Sequence, residues 1–197
     1  NGGISGSIYG GEGNDTIDLS KVNADLTFTV SASGQLEEIQ DNSTPSNTIK
    51  GSSGGDIAHV EIIRGGKKEN TLDMAAVNAG LDITIDKDSG KNKVTVDFGG
   101  GHTLVFHNVT VLKSGKGDDT IDFMNGAPFT GLLDGGGGTN TLIFSDFGNR
   151  AKIDLSIDPT TSNLSNGETP KFVRNFTNIT GGAKTGFFST GGGRGNE

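Results

Sequence analysis

The ten residues "GGEGNDTIDL", Gly10 to Leu19, govern how the rest of the chain is read. They fit the nonapeptide pattern G-G-x-G-x-D-x-U-x, U being apolar, with Asp15 at its sixth position. The pattern returns as "IRGGKKENTLDM" (Ile63 to Met74), "LKSGKGDDTIDF" (Leu112 to Phe123) and "LDGGGGTNTLIF" (Leu133 to Phe144). Each copy has Gly-Gly or Ser-Gly, a short polar turn, Asp or Asn, then an apolar residue two places on. A weaker copy, "ITGGAKTGFF", covers Ile179 to Phe188, and the closing "GGRGNE", Gly192 to Glu197, matches the first six positions of another.

Two further recurrences flank the turns. After three of them the chain alternates apolar and polar residues: Leu26, Phe28, Val30; Leu81, Ile83, Ile85; Ile153, Leu155, Ile157. Period two marks a strand with one buried face. Leading into the next turn are "AHVEIIRGG", "FHNVTVLKSG" and "FTNITGG". From Gly10 the turns start 55, 49, 21 and 46 residues apart. The shortest step suits one coil of a parallel β-helix, and the longer ones suit two coils with loops. The expected fold is therefore all-β, a parallel β-helix or β-solenoid with irregular loops. An antiparallel β-sandwich with glycine-rich hairpins is the alternative. Ser31 to Asn47 and Asp158 to Lys171 are polar, contain proline, and are expected to bulge outside the core.

Composition agrees with a thin-cored repeat. Of 197 residues 34 are glycine, and only 30% are hydrophobic. Each rung of a solenoid buries only a narrow inner row, so less apolar material suffices. Residues 1–197 read as one module, and the start at "NGGISG" reads as a piece of a longer repeat chain. The formal charge of −8 argues against a nucleic-acid partner, which needs a basic patch. No apolar run is long enough to insert in a membrane as a helix. There is no cysteine, so disulfides and thiolate sites are excluded.

The copies at Gly10 and Ser114, with the surrounding "HNVTVLKSGKGDDTIDF", resemble repeats of very large bacterial surface and secreted proteins. These include RTX-type and hemagglutinin-like adhesins and autotransporter passengers. The resemblance implies export to the cell surface or medium, a β-solenoid shaft or adhesive module, and calcium binding as an alternative role. Partners would then be flanking repeats of the same chain and a host-surface or cell-surface ligand.

Calcium wants six to eight oxygens, so one loop supplies about half a shell and a second must stack on it. The candidate ligands are Asp15, Asp119 with its neighbour Asp118, and Asn140. Asn70 and Asn140 stand where aspartate is expected, keeping a carbonyl oxygen but not the charge. The one pair of turns at single-coil spacing, 21 residues, joins Asp119 to Asn140. The competing reading is that Asp and Asn satisfy backbone N–H groups within the turns.

A polysaccharide-active β-helix enzyme is a weaker third reading. Its candidate groups are Asp82, Asp86, Asp88, Lys91, His102 and His107. Five residues apart on a strand, the two histidines point to opposite faces. His59 is isolated, and Tyr9 is the only tyrosine in a chain without tryptophan. No catalytic residue is assigned. The N-x-S/T sequences at Asn14, Asn42, Asn108, Asn163, Asn175 and Asn178 are what a chain rich in these residues makes by chance.

Overall fold

The structure, a computed structural model, describes residues 8–45, 47–50, 57–129, 131–144, 152–154, 172–181 and 187–189. It is all-β, with no helix among the described residues. In chain order the strands are β1 (Thr16–Asp18), β2 (Leu26–Val30), β3 (Leu36–Asp41), β4 (Thr48–Lys50), β5 (Ile62–Arg64) and β6 (Asn70–Asp73). Then come β7 (Asp82–Asp88), β8 (Lys91–Asp97), β9 (Thr103–His107), β10 (Val111–Lys113), β11 (Thr120–Phe123) and β12 (Leu132–Asp134). The last are β13 (Thr141–Ile143), β14 (Lys152–Asp154), β15 (Phe172–Arg174), β16 (Asn178–Thr180) and β17 (Phe187–Ser189).

Two mixed sheets hold most of them. The first has the order β1-β5-β9-β8-β7-β11-β13-β16, and the second β15-β12-β10-β6-β2-β3-β4. Strands β14 and β17 pair separately, in parallel. Parallel pairing dominates, and the antiparallel pairs are confined to two insertions, β2-β3-β4 and β7-β8-β9. The turns at 65–69, 114–119 and 135–140 each carry the chain from one large sheet to the other.

The repeat sets the register. Each of these turns lies between two apolar residues nine apart: Ile63 and Leu72, Leu112 and Ile121, Leu133 and Leu142. All six are completely buried. Leu112 pairs with Leu133, and Ile121 with Leu142, so the copies at Ser114 and Gly135 stack with their motifs aligned. A one-residue slip would turn these side chains outward, and burial at about 25 cal/mol per Å² forbids it.

Alternating residues fill the core as their period predicts. Leu26, Phe28, Val30, Leu81, Ile83 and Ile85 are all buried. Phe123 joins them, stacked on Phe144 at 5.2 Å and edge-on to Phe129 at 6.0 Å. Leu155, Ile157 and the side chain of Ile153 lie outside the described residues, as does the expected loop from 158 to 171.

The stretch from Ser31 to Asn47 corrects the sequence reading. Its middle does not bulge out of the core, although residues 42–45 are exposed as expected. Residues 36–41 form β3, which pairs antiparallel with β2 and buries Leu36 and Ile39. The pairing shifts between Thr29 and Val30, so Glu37 is an extra residue in the ladder. That bulge puts Leu36 and Ile39, three apart, on one face. Period-two reading cannot see it.

Candidate functional site in the stacked turns

Asp119 sits between β10 and β11 and is almost fully buried. Its Oδ2 accepts the Ser114 hydroxyl at 2.6 Å and the Gly115 N–H at 3.1 Å. Its Oδ1 accepts the Leu81 N–H at 2.8 Å, from the preceding loop. Asp119 in turn donates its own N–H to Asn140 Oδ1 at 2.9 Å. Asn140 Nδ2 then donates to the carbonyls of Gly137, at 2.8 Å, and Asn175, at 2.9 Å. A column of side-chain to backbone bonds thus runs through Leu81, Asp119, Asn140 and Asn175, buried from Leu81 to Asn140 and reaching the surface at Asn175. Burial pushes the Asp119 carboxyl above its ordinary value, against the pull of bonds from Ser114, Leu81 and Gly115.

The choice of Asp or Asn in the column follows from its neighbours. Asp119 faces three donors, and only a carboxylate accepts on both oxygens. Asn70 faces one donor, Gly66 N–H, and two acceptors, the carbonyls of Gly66 and Lys68. Asn140 likewise has one donor and two acceptors around it. An amide matches such surroundings and a carboxylate does not. Departure from the aspartate consensus is explained by hydrogen bonding alone.

Of the four residues singled out as metal ligands, the structure brings Asp119 and Asn140 together. Asp118 is exposed and accepts the Thr139 N–H at 2.7 Å, outside the buried column. Asp15 stands apart in the first turn. Its N–H donates to Glu61 Oε2 at 2.8 Å, while its own Oδ2 is buried without a hydrogen-bond partner among the described residues. The first turn has Gly10 where the later one has Ser114, so the position that gives Asp119 a hydroxyl gives Asp15 none. None could be added, because a Cβ on Gly10 would run into the His59 carbonyl oxygen.

Glu61 is the residue that sequence reasoning missed, although a signal existed. "HVEII" and "HNVTV" precede successive turns, and Thr110 caps the Asn70 N–H at 2.8 Å much as Glu61 caps Asp15. No cluster of three or more His, Asp or Glu side chains is placed to hold a metal ion among the described residues.

The acid–base candidates do not converge. Asp82, Asp86 and Asp88 lie along β7 and pair across the strand with Asp97, Lys93 and Lys91. A hydrogen bond from Asn125 holds the Asp86 carboxyl below its ordinary value, reinforced by the Lys87 N–H. His102 lies at the Gly34 carbonyl, 2.9 Å away, and stacks on Phe98. His107 contacts Asp88 instead, 3.1 Å away. His59 packs against Tyr9, ring centroids 4.6 Å apart. No protein-family model, curated protein or solved structure matches this chain.

Proposed function

We propose that the chain is a non-catalytic structural module, a β-solenoid shaft or adhesive segment of an exported bacterial surface protein. Its partners are flanking repeats of the same chain and a ligand on a host or cell surface. The solenoid reading is supported by parallel, in-register pairing of the repeats and by the chain's passage between two sheets at each later turn. One observation carries the functional reading. The carboxylate best placed by stacking for calcium, Asp119, already has three protein donors and serves to tie turns together. Calorimetric titration with calcium, and melting in calcium or in chelator, test it. The expected result is no effect that depends on Asp119. A calcium-dependent rise in Tm that Asp119→Asn abolishes would overturn it.

A second reading has an observation of its own. Asp15 belongs to the copy that fits the full consensus, keeps an oxygen buried without a hydrogen-bond partner among the described residues, and donates its backbone N–H to Glu61. A calcium ion there would stabilise without catalysing, by about 2.7 kcal/mol at a hundredfold excess over its Kd. The readings separate by residue: a calcium effect on Tm removed by Asp15→Asn and kept in Asp119→Asn supports the second.

A further inference from the structure

We propose that His107 is a pH-sensitive latch that loosens the junction of β5, β9 and β8 when its imidazole takes a proton. The register places it there. His107 pairs with Arg64 of β5 on one side and with Lys93 of β8 on the other. Side chains directly opposite in neighbouring strands lie about 5 Å apart, and like charges so placed repel. Beyond Arg64 comes Asp18, and beyond Lys93 comes Asp86. The row therefore reads acid, cation, imidazole, cation, acid.

Both outer acids have other partners. Asp18 accepts the Ser20 N–H at 2.9 Å, and Asp86 accepts from Asn125 and Lys87. The carboxylate that reaches the ring is Asp88, whose Oδ2 lies 3.1 Å from Nδ1. The His107 side chain is only 12% exposed, while that of Asp88 is 41% exposed. A proton on the ring thus makes a third adjacent cation, and the acid that touches it, Asp88, is the more solvent-screened of the two. Burial, then the Arg64 charge, hold the imidazole below its ordinary value, with Lys93 adding to them and Asp88 opposing.

The latch has a defined place to act. In the first sheet, the pairing of β5 with β9 joins β1 and β5 to every strand beyond. Its backbone bonds include Gly65 N–H to His107 O at 2.9 Å and Val105 N–H to Glu61 O at 2.8 Å. Because the folded value lies below the unfolded 6.5, the unfolded chain binds more protons between them. The junction is at full strength above the unfolded value and weakens as pH falls toward the folded one.

The test is an NMR titration of the three histidines together with amide exchange, corrected for intrinsic rates, on the whole chain. His107 is expected to titrate below an unstructured peptide. Arg64→Gln should raise its midpoint and Asp88→Asn should lower it. As His107 is protonated, exchange at Gly65 and Val105 should rise several-fold relative to Thr141 in β13, and His107→Gln should abolish that rise. A midpoint at or above the peptide value, or exchange at Gly65 and Val105 that tracks Thr141 at every pH, overturns the proposal.

Discussion

The turn at Ser114 and the turn at Gly10 share one sequence pattern and live in different surroundings. The later one is packed between the 77–81 loop and the turn at Gly135. In the Gly135 turn stacked on it, a Cβ added at Gly136 would run into the Gly115 carbonyl oxygen, at a residue whose φ is already +73°. The matching position of the first turn, Gly11, has φ +110° and, among the described residues, nothing within 4 Å of where a Cβ would go. One consensus glycine therefore serves backbone approach as well as conformation, and the other serves conformation alone. Aspartate divides the same way: Asp119 is spent on three donors, while Asp15 keeps an oxygen free.

The largest effect that breaks or sharpens this contrast is a glycine pair. Gly136→Ala should cost about 3–5 kcal/mol, adding a backbone clash to left-handed strain. Gly11→Ala should cost about 1–2 kcal/mol, from strain alone. Denaturant melts of both variants decide it, and equal losses would mean that the two turns are packed alike.

Asp119→Asn comes next, at about 1–2 kcal/mol. The new amide can still accept from Gly115 on one side, but its NH₂ then confronts the Leu81 N–H, leaving a buried donor unpaired. The comparison to make is with Asn140→Asp, where a carboxylate would meet the carbonyls of Gly137 and Asn175. If both swaps proved neutral, the donor count would not be what selects Asp or Asn.

This division explains how much the sequence could tell. Leu26, Phe28, Val30, Leu81, Ile83 and Ile85 were legible because a period of two survives whatever the turn before them does. The contact of Asp119 with Asn140 was legible because 21 residues is one step of the repeat. Leu36 and Ile39 were hidden by the bulge at Glu37, which replaces a period of two with a gap of three. The pairing of Asp15 with Glu61 was hidden differently. Glutamate there and threonine at 110 share a geometric role but no chemical likeness, so the recurrence carries the backbone position and not the side chain.

The pH dependence of two buried carboxylates should be smaller, and opposite in sign. Asp119 has a folded value raised by burial, so its contribution is greatest below the unfolded 3.8 and is lost as pH rises through the folded value. Burial also pushes Asp134 up, but bonds from Arg174, the Gly136 N–H and Asn175 outweigh it and hold the carboxyl low. Its contribution is present above 3.8 and is lost as pH falls through the folded value. Stability measured from about pH 2 to 7 should show wild type minus Asp119→Asn falling with pH, and wild type minus Asp134→Asn rising. Two curves of the same slope would remove the distinction between a carboxylate inside the column and one held by Arg174 of β15.

The smallest effect bears on the open turn itself. Without calcium, Asp15→Asn removes a carboxylate whose buried Oδ2 accepts no hydrogen bond among the described residues. Loss of an oxygen that accepts no hydrogen bond favours the variant, while an amide NH₂ left without an acceptor in its place disfavours it. The net change in chelator should be within about 0.5 kcal/mol of zero. With millimolar calcium the outcomes part. If the free oxygen is a ligand, wild type gains stability that the variant does not, and the substitution becomes destabilising. If it is only a turn whose hydroxyl partner is missing, the two melts superimpose in calcium and in chelator alike. The sign of one small difference, measured twice, then says whether the first turn differs from the later ones in chemistry or only in packing.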